Sequence, residues 1–250
     1  MKRKEFLRGL GLIGIGSLAI PIINSCSQDN DDGSSNSSTN TDSPSGSGSS
    51  SGDCSVTASE TAGPFPTITP SSLVKSDITM DRTGVAFSIK ITIKNTNASC
   101  AVLKDAIVDI CHCDKDGYYS EYGGTSMQSV NYTTVHFLRG RQTTDANGLV
   151  TFTSIFPGWY SGRATHIHVH IYNASGTSLL VTQIAFPEGT NSAVALVNAS
   201  SANGYTKGMS GYTYNSSDNV FSDSVTNELG TITGSVSEGF VLTHTINVAG

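Results

Sequence analysis

The chain has 250 residues and a net charge of −6. Residues 1–25 alone carry a net charge of +3, so the remainder carries −9. This acidic balance, without a strongly basic patch, argues against a nucleic-acid partner, whose phosphates need a basic footprint. The length allows one domain or two small ones, and the lack of a long helical pattern favours a β-rich protein.

Residues 1–25 have the features of a secretory signal peptide. A basic start precedes an apolar stretch (9–23) that is too short and too glycine-rich for a transmembrane helix. The sequence Ile-Asn-Ser-Cys that ends at Cys26 resembles a bacterial lipobox, in which the cysteine is lipidated after cleavage. We therefore expect an exported lipoprotein that is anchored to a membrane through lipid on Cys26, in the periplasm or at the cell surface. A plain signal peptide with an incidental cysteine is the alternative.

Residues 26–52 are predicted to form a disordered Ser/Gly-rich tether. After Cys26 this segment has no aliphatic or aromatic side chain apart from Pro44. A flexible chain of this length has a root-mean-square reach of about 30 Å, which would hold a domain off a bilayer. Sequence that can form a hydrophobic core begins near Asp53, and we predict one domain over residues 53–250.

The predicted domain begins with an extended segment and two strands. The segment ETAGPFP (60–66) contains two prolines and a glycine, so it is not helical and is expected to lie over a surface. Residues 85–95 alternate as a half-buried strand, and residues 105–111 indicate a more buried one. Residues 112–124 are rich in turn residues and are predicted to form a loop.

The second half of the domain continues this pattern. Residues 135–144 and 149–156 flank Asp-Ala-Asn-Gly (145–148), a strong turn signal, and therefore predict a hairpin. A further strand is predicted at 178–186, and a second hairpin is predicted about Glu238-Gly239. Many short strands at this spacing predict an all-β fold, namely a single-domain β-sandwich with long loops.

The cysteines that follow Cys26 are four in number: Cys54, Cys100, Cys111 and Cys113. In an exported protein an even number suggests disulfides, and three connectivities are possible. We favour a bond between Cys100 and Cys113, because these two residues flank the strand at 105–111. A zinc site that uses Cys111 and Cys113 is the weaker alternative, because no second pair matches it.

The candidate site is centred on the strand that begins near Ala164. Successive side chains of a strand point to opposite faces, so Ile167, Val169 and Ile171 share one face. The opposite face carries His166, His168 and His170. Burying imidazoles is costly unless both nitrogens find partners, and a metal ion is the simplest such partner. Satisfied or solvent-exposed histidines are the alternative.

Tyrosines close to this strand narrow the choice of metal. Tyr118 and Tyr119 end the loop at 112–124, and Tyr160 lies in a Pro-Gly-Trp-Tyr turn before the histidines. A phenolate is a hard anionic donor, and two phenolates with two neutral imidazoles favour ferric iron. A free tyrosine has a pKa of about 10, but a trivalent cation stabilises the phenolate near neutral pH.

Six stretches of this chain resemble the intradiol ring-cleavage dioxygenases, the catechol and protocatechuate dioxygenase superfamily. The matching stretches occur in order along the whole predicted domain. They are ETAGPFP (60–66), AIVDICHCDKDGYYS (106–120), FLRGRQTTDANGLVTF (137–152), FPGWYSGRATHIHVHI (156–171), TQIAF (182–186) and NVFSD (219–223).

The resemblance implies a ferric site and its four ligands. The family pattern places the tyrosine ligands at Tyr119 and Tyr160 and the histidine ligands at His166 and His168. It implies an enzyme that cleaves a catecholic ring between its two hydroxyl carbons with O2, which yields a cis,cis-muconate-type diacid.

The resemblance also implies three catalytic residues. The Tyr160 phenolate would give way to the chelating substrate. Arg163 would stabilise negative charge that develops on the ring, and Gln183 would orient the substrate. The cofactor that the resemblance implies is Fe(III), and the small-molecule partners that it implies are the catechol and O2.

The chain departs from the family pattern at several positions. Cys111 stands where relatives usually have tryptophan, and Phe65 stands where many have tyrosine. His170 is an additional histidine on the ligand face, and we interpret it as a supporting or surface residue. The N-terminal helical segment of catechol dioxygenases has no recognisable counterpart, so the chain looks more like the stand-alone exported members.

Three alternatives remain open at the level of sequence. The first is a His-x-His copper or zinc enzyme on a β-sandwich, which the tyrosine pair disfavours. The second is an inactive dioxygenase-like domain that serves as a binding module. The third is a structural sandwich whose histidines lie on the surface without a metal.

Overall fold

The computed structural model describes residues 54–250. The predicted signal peptide (1–25), the predicted tether (26–52) and Cys26 lie outside the described residues. Among the described residues, no helix combines the length and the apolar character needed to cross a membrane. The described residues form two β-sheets with a single short α-helix, so the predicted all-β sandwich is confirmed.

Five strands form the first sheet. They are β1 (Ala86–Asn95), β2 (Ala101–Val102), β5 (Leu149–Ile155), β8 (Thr231–Ser235) and β9 (Gly239–Val248). Their order is β2-β1-β9-β8, and β5 pairs with β1 as well. β1 and β9 are parallel neighbours, whereas the other pairs of this sheet are antiparallel.

Four antiparallel strands form the second sheet, which carries the candidate site. They are β3 (Ile107–Cys111), β4 (Arg139–Thr143), β6 (His166–Tyr172) and β7 (Ser178–Ala185), in the order β4-β3-β6-β7. Within residues 54–250 the helical segments are all short. They are the α-helix α1 (Ala193–Asn198) and 3-10 turns at Pro70–Ser72, Thr96–Ala98, Ser201–Asn203 and Asn215–Ser217.

The core lies between the inner faces of the two sheets. In β1 the predicted alternation is confirmed, because Phe87, Ile89, Ile91 and Ile93 are all buried while Lys90 is exposed. The same period of two buries alternate residues of β6 in the core. Each such side chain contributes about 1.5–3 kcal/mol through removal of apolar surface from water.

The predicted hairpin at 135–156 is wrong. β4 pairs with β3 in the second sheet, whereas β5 pairs with β1 in the first. The Asp-Ala-Asn-Gly turn does form, with the Gly148 amide donating to the Asp145 carbonyl at 3.0 Å. It connects the two layers of the sandwich, because β4 belongs to one sheet and β5 to the other. The second predicted hairpin is confirmed, since β8 and β9 pair antiparallel about the turn before Gly239.

The predicted disulfide between Cys100 and Cys113 is also wrong. Cys54 bonds with Cys100, and their Cα atoms lie 5.8 Å apart. Cys111 and Cys113 are free and buried, and Cys113 packs in an aromatic cluster with Phe65 and Tyr119. Cys100 instead lies just before β2, where it meets the beginning of the described chain. The positions of Cys100 and Cys113 on either side of one strand did not determine the disulfide, because Cys100 bonds with a cysteine from a distant segment of the chain.

Removing this disulfide is expected to cost roughly 4 kcal/mol of unfolding free energy, because the crosslink restricts the unfolded chain. The two cysteines are 46 residues apart, so the closed loop is long. Urea unfolding of the Cys54→Ser/Cys100→Ser double variant measures the loss. A reducing agent should bring the unmodified protein to the stability of the variant and leave the variant unaffected. Equal midpoints without reductant would contradict the expectation.

Candidate metal centre

The two faces of β6 have different surroundings. Ile167, Val169 and Ile171 point into the core between the sheets. His166 and His168 point to the other face, yet both are buried. The extended segment 60–66 lies over the sheet at His168, as the sequence predicted.

Gly63 lets this segment approach the second histidine. Its φ is +69°, and a Cβ added there would lie 2.9 Å from Cε1 of His168. Both features require a residue without a side chain. The backbone of the segment therefore closes over the His168 ring.

The loop that carries Tyr119 is held by polar contacts at both of its ends. Oδ1 of Asp114 accepts from the backbone amides of Asp116 at 3.0 Å and Tyr118 at 2.9 Å, which forms a turn within the predicted loop. The Gln128 amide accepts from the Tyr119 N–H and donates to the Tyr119 carbonyl, each at 2.7 Å. The backbone of Tyr119 is thus fixed from its own loop and from the next one.

The turn that carries Tyr160 packs against the same loop. The Gly158 amide donates to the Asp114 carbonyl at 3.1 Å. A Cβ at Gly158 would lie 2.3 Å from the Lys115 carbonyl oxygen, so only glycine permits this approach. The two tyrosine-bearing segments are therefore anchored to each other.

Three predicted donor atoms converge. The Tyr119 hydroxyl lies 3.1 Å from Nε2 of His166, and that nitrogen lies 3.1 Å from Nε2 of His168. All three side chains are buried. Neighbouring ligands of one metal ion with bonds of about 2.0–2.1 Å lie roughly 3 Å apart, so the observed spacing fits a shared cation.

The hydrogen bonds of His166 prepare it to bind a metal. Its Nδ1 lies 2.6 Å from the Ala164 carbonyl, which accepts only, so Nδ1 carries the proton. The Nε2 lone pair therefore faces Tyr119 and His168. In metal-binding histidines, a hydrogen bond from the ring nitrogen that does not bind the metal sets the tautomer in this way.

The protonation states of the donors also fit a cation. Burial, with a further contribution from the Arg163 charge, lowers the pKa of His166 to about 3. Burial, with the adjacent His166, holds the pKa of His168 well below its usual range. Both imidazoles are therefore neutral, as metal ligands must be. Burial raises the pKa of Tyr119 well above its ordinary value, so its phenolate needs a nearby cation.

The buried Nδ1 of His168 has no hydrogen-bond partner. Across residues 54–250, no group of three or more His, Cys, Asp or Glu side chains is arranged to hold a metal ion. The converging set instead combines two imidazoles with a phenol. This composition suits a ferric ion, which binds hard anionic oxygen.

Tyr160 lies beside this set but is not hydrogen-bonded to it. Its ring centroid is 6.1 Å from that of Tyr119, and its hydroxyl donates to the Met127 carbonyl at 3.0 Å. Burial raises the pKa of Tyr160. The structure thus groups Tyr119, His166 and His168 by direct contact and leaves the Tyr160 hydroxyl on a different acceptor.

Arg163 contacts His166 of this set, and Gln183 contacts Arg163. Nη1 of Arg163 is 3.5 Å from Nε2 of His166, and Nη2 donates to the Gln183 side-chain oxygen at 2.7 Å. The Gln183 amide nitrogen donates to the Thr61 carbonyl at 2.8 Å. A buried carboxylate, Asp218, accepts from Nε of Arg163 at 2.8 Å.

A cavity of about 370 Å³ opens onto these groups. That volume lies within the range of pockets for small organic ligands. Its lining residues include Pro64, Phe65, Tyr119, Met127, Tyr160, Arg163, His166, His168 and Val220. The site therefore combines three candidate metal ligands, one cation and aromatic side chains around a cavity large enough for a single-ring molecule.

The remaining histidines of the region have other partners. His170 lies 2.8 Å from the Ser178 hydroxyl and 2.8 Å from the Tyr172 hydroxyl, on the outer part of the strand. His112 lies 2.8 Å from the Cys113 carbonyl and 2.8 Å from the Ser154 hydroxyl. Neither joins the converging donors.

Several residues that organise the site were missed from the sequence. Asp218 lies one position before the matching stretch NVFSD, and Gln128 lies in a loop without a motif. Arg139 is fully buried and donates to the Phe65 carbonyl at 3.0 Å and the Ser120 carbonyl at 2.7 Å, which joins the covering segment to the Tyr119 loop. The only signal for Arg139 was its place within a matching stretch.

Comparisons with known proteins give matches at the level of structure. No protein-family model matches the chain, and no curated protein matches it. An intradiol ring-cleavage dioxygenase from Tetranychus urticae is 28% identical, with a TM-score of 0.67, and the match covers 78% of this chain and 95% of that one. A second solved dioxygenase is 26% identical with a TM-score of 0.64, and the match covers 78% of this chain and 94% of that one.

More distant structures share the fold alone. A 3-chlorocatechol 1,2-dioxygenase from Rhodococcus opacus 1CP is 19% identical with a TM-score of 0.53, over 77% of this chain and 72% of that one. The family resemblance inferred from the six stretches is therefore confirmed by solved structures: this chain is a structural relative of the intradiol ring-cleavage dioxygenases and has their β-sandwich fold.

Proposed function

We propose that this protein is an Fe(III)-dependent dioxygenase that cleaves a catecholic ring between its two hydroxyl carbons. Both atoms of O2 enter the product, a cis,cis-muconate-type diacid, so the reaction consumes no external reductant. The structural relatives support the ring-cleavage family. The metal, the substrate and the activity are our inference for this chain.

The observation that carries the proposal is the convergence of Tyr119, His166 and His168. Nε2 of His166 lies 3.1 Å from the Tyr119 hydroxyl and 3.1 Å from Nε2 of His168. The three side chains line a cavity that Arg163 also lines. A buried phenol without a cation would gain nothing from contact with two neutral imidazoles beyond one hydrogen bond. With a ferric ion, the same atoms become three ligands of one centre.

The ferric ion would be held by these three side chains and by Tyr160. When bound, it would supply a Lewis acid that withdraws charge from a catechol ring. Tyr160 is suited to leave, because the Met127 carbonyl offers its hydroxyl an acceptor at 3.0 Å. Tyr160 would therefore keep a hydrogen-bond partner within the protein when a substrate occupies the cavity.

Arg163 acts on the substrate rather than on the metal, and Gln183 acts through Arg163. The Arg163 guanidinium is buried beside the donor cluster, where its charge is weakly screened. It stabilises negative charge on the ring as that charge develops. Gln183 keeps Nη2 of Arg163 occupied and thereby helps to orient the guanidinium toward the cavity.

Metal analysis and oxygen uptake test the proposal together. We expect purified protein to contain iron, to be burgundy to purple from ferric phenolate absorption, and to consume one O2 per ring with catechol, protocatechuate or hydroxyquinol. Copper or zinc in place of iron would favour the alternative His-x-His enzyme. Iron without turnover of any catechol would favour an inactive binding module, and colourless metal-free protein would overturn the proposal.

The Tyr160→Phe variant is expected to lose most of the tyrosinate-to-iron absorption and to turn over more slowly. The phenyl ring keeps the packing against Phe65 and removes only the hydroxyl. Visible absorption and oxygen uptake of the iron-loaded variant measure the effect. Tyr118→Phe is the matched control, because Tyr118 is adjacent to the loop ligand but lies outside the donor cluster. An unchanged spectrum and rate would remove Tyr160 from the site.

We also propose that the protein is exported and anchored through lipid on Cys26. The support is the lipobox-like sequence that ends at this cysteine and the polar segment after it. The Cys26→Ser variant should move from the membrane fraction to the soluble fraction on fractionation of the producing cells. Retention of the variant in the membrane fraction would contradict lipid anchoring.

A further inference from the structure

A fully buried carboxylate, Asp218, is bonded to the arginine of the candidate site. Its Oδ2 accepts from Nε of Arg163 at 2.8 Å and from the Ala164 amide at 2.7 Å. Its Oδ1 accepts from the amides of Val220 at 2.8 Å and Phe221 at 3.3 Å. Each oxygen thus has two donors, so the carboxylate has a single orientation.

The bonds to Asp218 and Gln183 determine which edge of the guanidinium faces the cavity. Asp218 occupies Nε and Gln183 occupies Nη2, which leaves Nη1 as the nitrogen that lies 3.5 Å from Nε2 of His166. The Gln183 amide is itself oriented by its bond to the Thr61 carbonyl at 2.8 Å. A guanidinium is planar, so two acceptors on two of its edges fix the direction of the third.

We propose that Asp218 is a positioning residue that acts through Arg163. It holds the guanidinium so that Nη1 lies beside Nε2 of His166 at the cavity, and it balances the buried positive charge. This inference rests on the proposed function, and it adds to that function a residue that does not touch the substrate. The loop 218–221 wraps the arginine, since the Phe221 ring also lies 5.7 Å from the guanidinium carbon.

The Asp218→Asn substitution tests the role with little change of shape. An amide has one oxygen, so its NH2 group must face either the Arg163 and Ala164 donors or the Val220 and Phe221 donors. In either orientation the new NH2 group faces two N–H donors and cannot accept from them. The guanidinium of Arg163 is then held less firmly in its position. We expect kcat to fall by roughly 10- to 100-fold, as for misplacement of a catalytic group, while KM for the catechol changes little.

A double-variant cycle separates positioning from a general structural effect. If Asp218 acts only through Arg163, then Asp218→Asn/Arg163→Met should turn over no more slowly than Arg163→Met alone. This comparison remains valid if the single Asp218→Asn variant fails to fold. A multiplicative loss in the double variant, or a single variant with the kcat of the unmodified protein, would overturn the proposal.

Asp109→Asn is the matched control. Asp109 forms a comparable pair with Arg141, at 2.5 and 2.7 Å, on the sheet that carries His166 but outside the cavity. It should leave kcat unchanged, whereas Asp218→Asn should not. A similar fall of kcat in both variants would indicate a general effect on folding and would contradict a specific role of Asp218 in positioning Arg163.

A measurement without turnover distinguishes this proposal from the proposed function. In nitrogen-15 spectra of the metal-free protein, the Nε–H proton of Arg163 should exchange slowly with water, and Asp218→Asn should abolish that protection. If no catechol is turned over, the proposed function fails, and this signal alone decides whether Asp218 fixes the guanidinium. Rapid exchange in the unmodified protein would overturn the positioning role.

Discussion

Replacing His166 with alanine is expected to prevent stable loading of iron. The substitution removes the imidazole whose Nε2 lies 3.1 Å from both the Tyr119 hydroxyl and Nε2 of His168. Loss of an outer hydrogen-bond partner typically weakens metal binding by about 10- to 100-fold, so loss of a ligand should exceed that range. Iron per chain after gel filtration and the ferric phenolate absorption measure the effect.

His170→Ala provides the matched control for that experiment. His170 lies on the same strand and the same face, but its ring contacts Tyr172 and Ser178 instead of the converging donors. The control should load as much iron as the unmodified protein. If both variants lost iron equally, or if His166→Ala retained it, the proposed ligand set would be wrong.

Replacing Arg163 with methionine is expected to lower kcat by about 10²- to 10³-fold, the usual effect of losing one charge-stabilising donor. Methionine keeps much of the side-chain length and removes the charge beside His166. The iron content of the Arg163→Met variant should stay unchanged, whereas a variant that lacks a metal ligand should lose iron. Steady-state oxygen uptake with the best catechol substrate, together with metal analysis, measures both quantities.

Arg141→Met is the control for the loss of an arginine. Arg141 forms an ion pair with Asp109 and packs over the Tyr172 ring, away from the donor cluster. Its removal should affect stability rather than kcat. An Arg163→Met variant as active as this control would exclude electrostatic stabilisation by Arg163.

Strand β6, which carries the two candidate histidine ligands, is the part of the site that was most predictable. Alternation with a period of two is a local property, and it assigns Ile167 to the core and His166 to the opposite face without knowledge of any neighbour. The tight turn at Asp114 was predictable for the same reason. Its side chain hydrogen-bonds to amides a few residues ahead, so the pattern is contained within one short stretch.

Pairing between distant segments was not predictable in this way. The turn at 145–148 forms, yet β4 and β5 belong to different sheets because β3 and β1 are their partners. Cys100 bonds with Cys54, which is far away in the sequence, and not with the nearer Cys113. The turn signal was correct about the turn but not about strand pairing, and the position of two cysteines beside one strand indicated the wrong disulfide partner.

Asp218 illustrates the same division within the site. From the sequence it belonged to a polar stretch without a motif, and nothing local connected it with Arg163. The structure brings them to 2.8 Å because the loop after α1 returns to the start of β6.

Residue types and local spacing by themselves determined the all-β class, the alternating strand and the chemistry of the donors. They did so because side-chain direction, turn formation and ligand preference depend on a few consecutive residues. Only the tertiary structure decided which strands share a sheet, which cysteines bond, which donors meet and where the Tyr160 hydroxyl points. These depend on contacts between residues far apart in the chain, whose free energy is set by the packing of the whole sandwich.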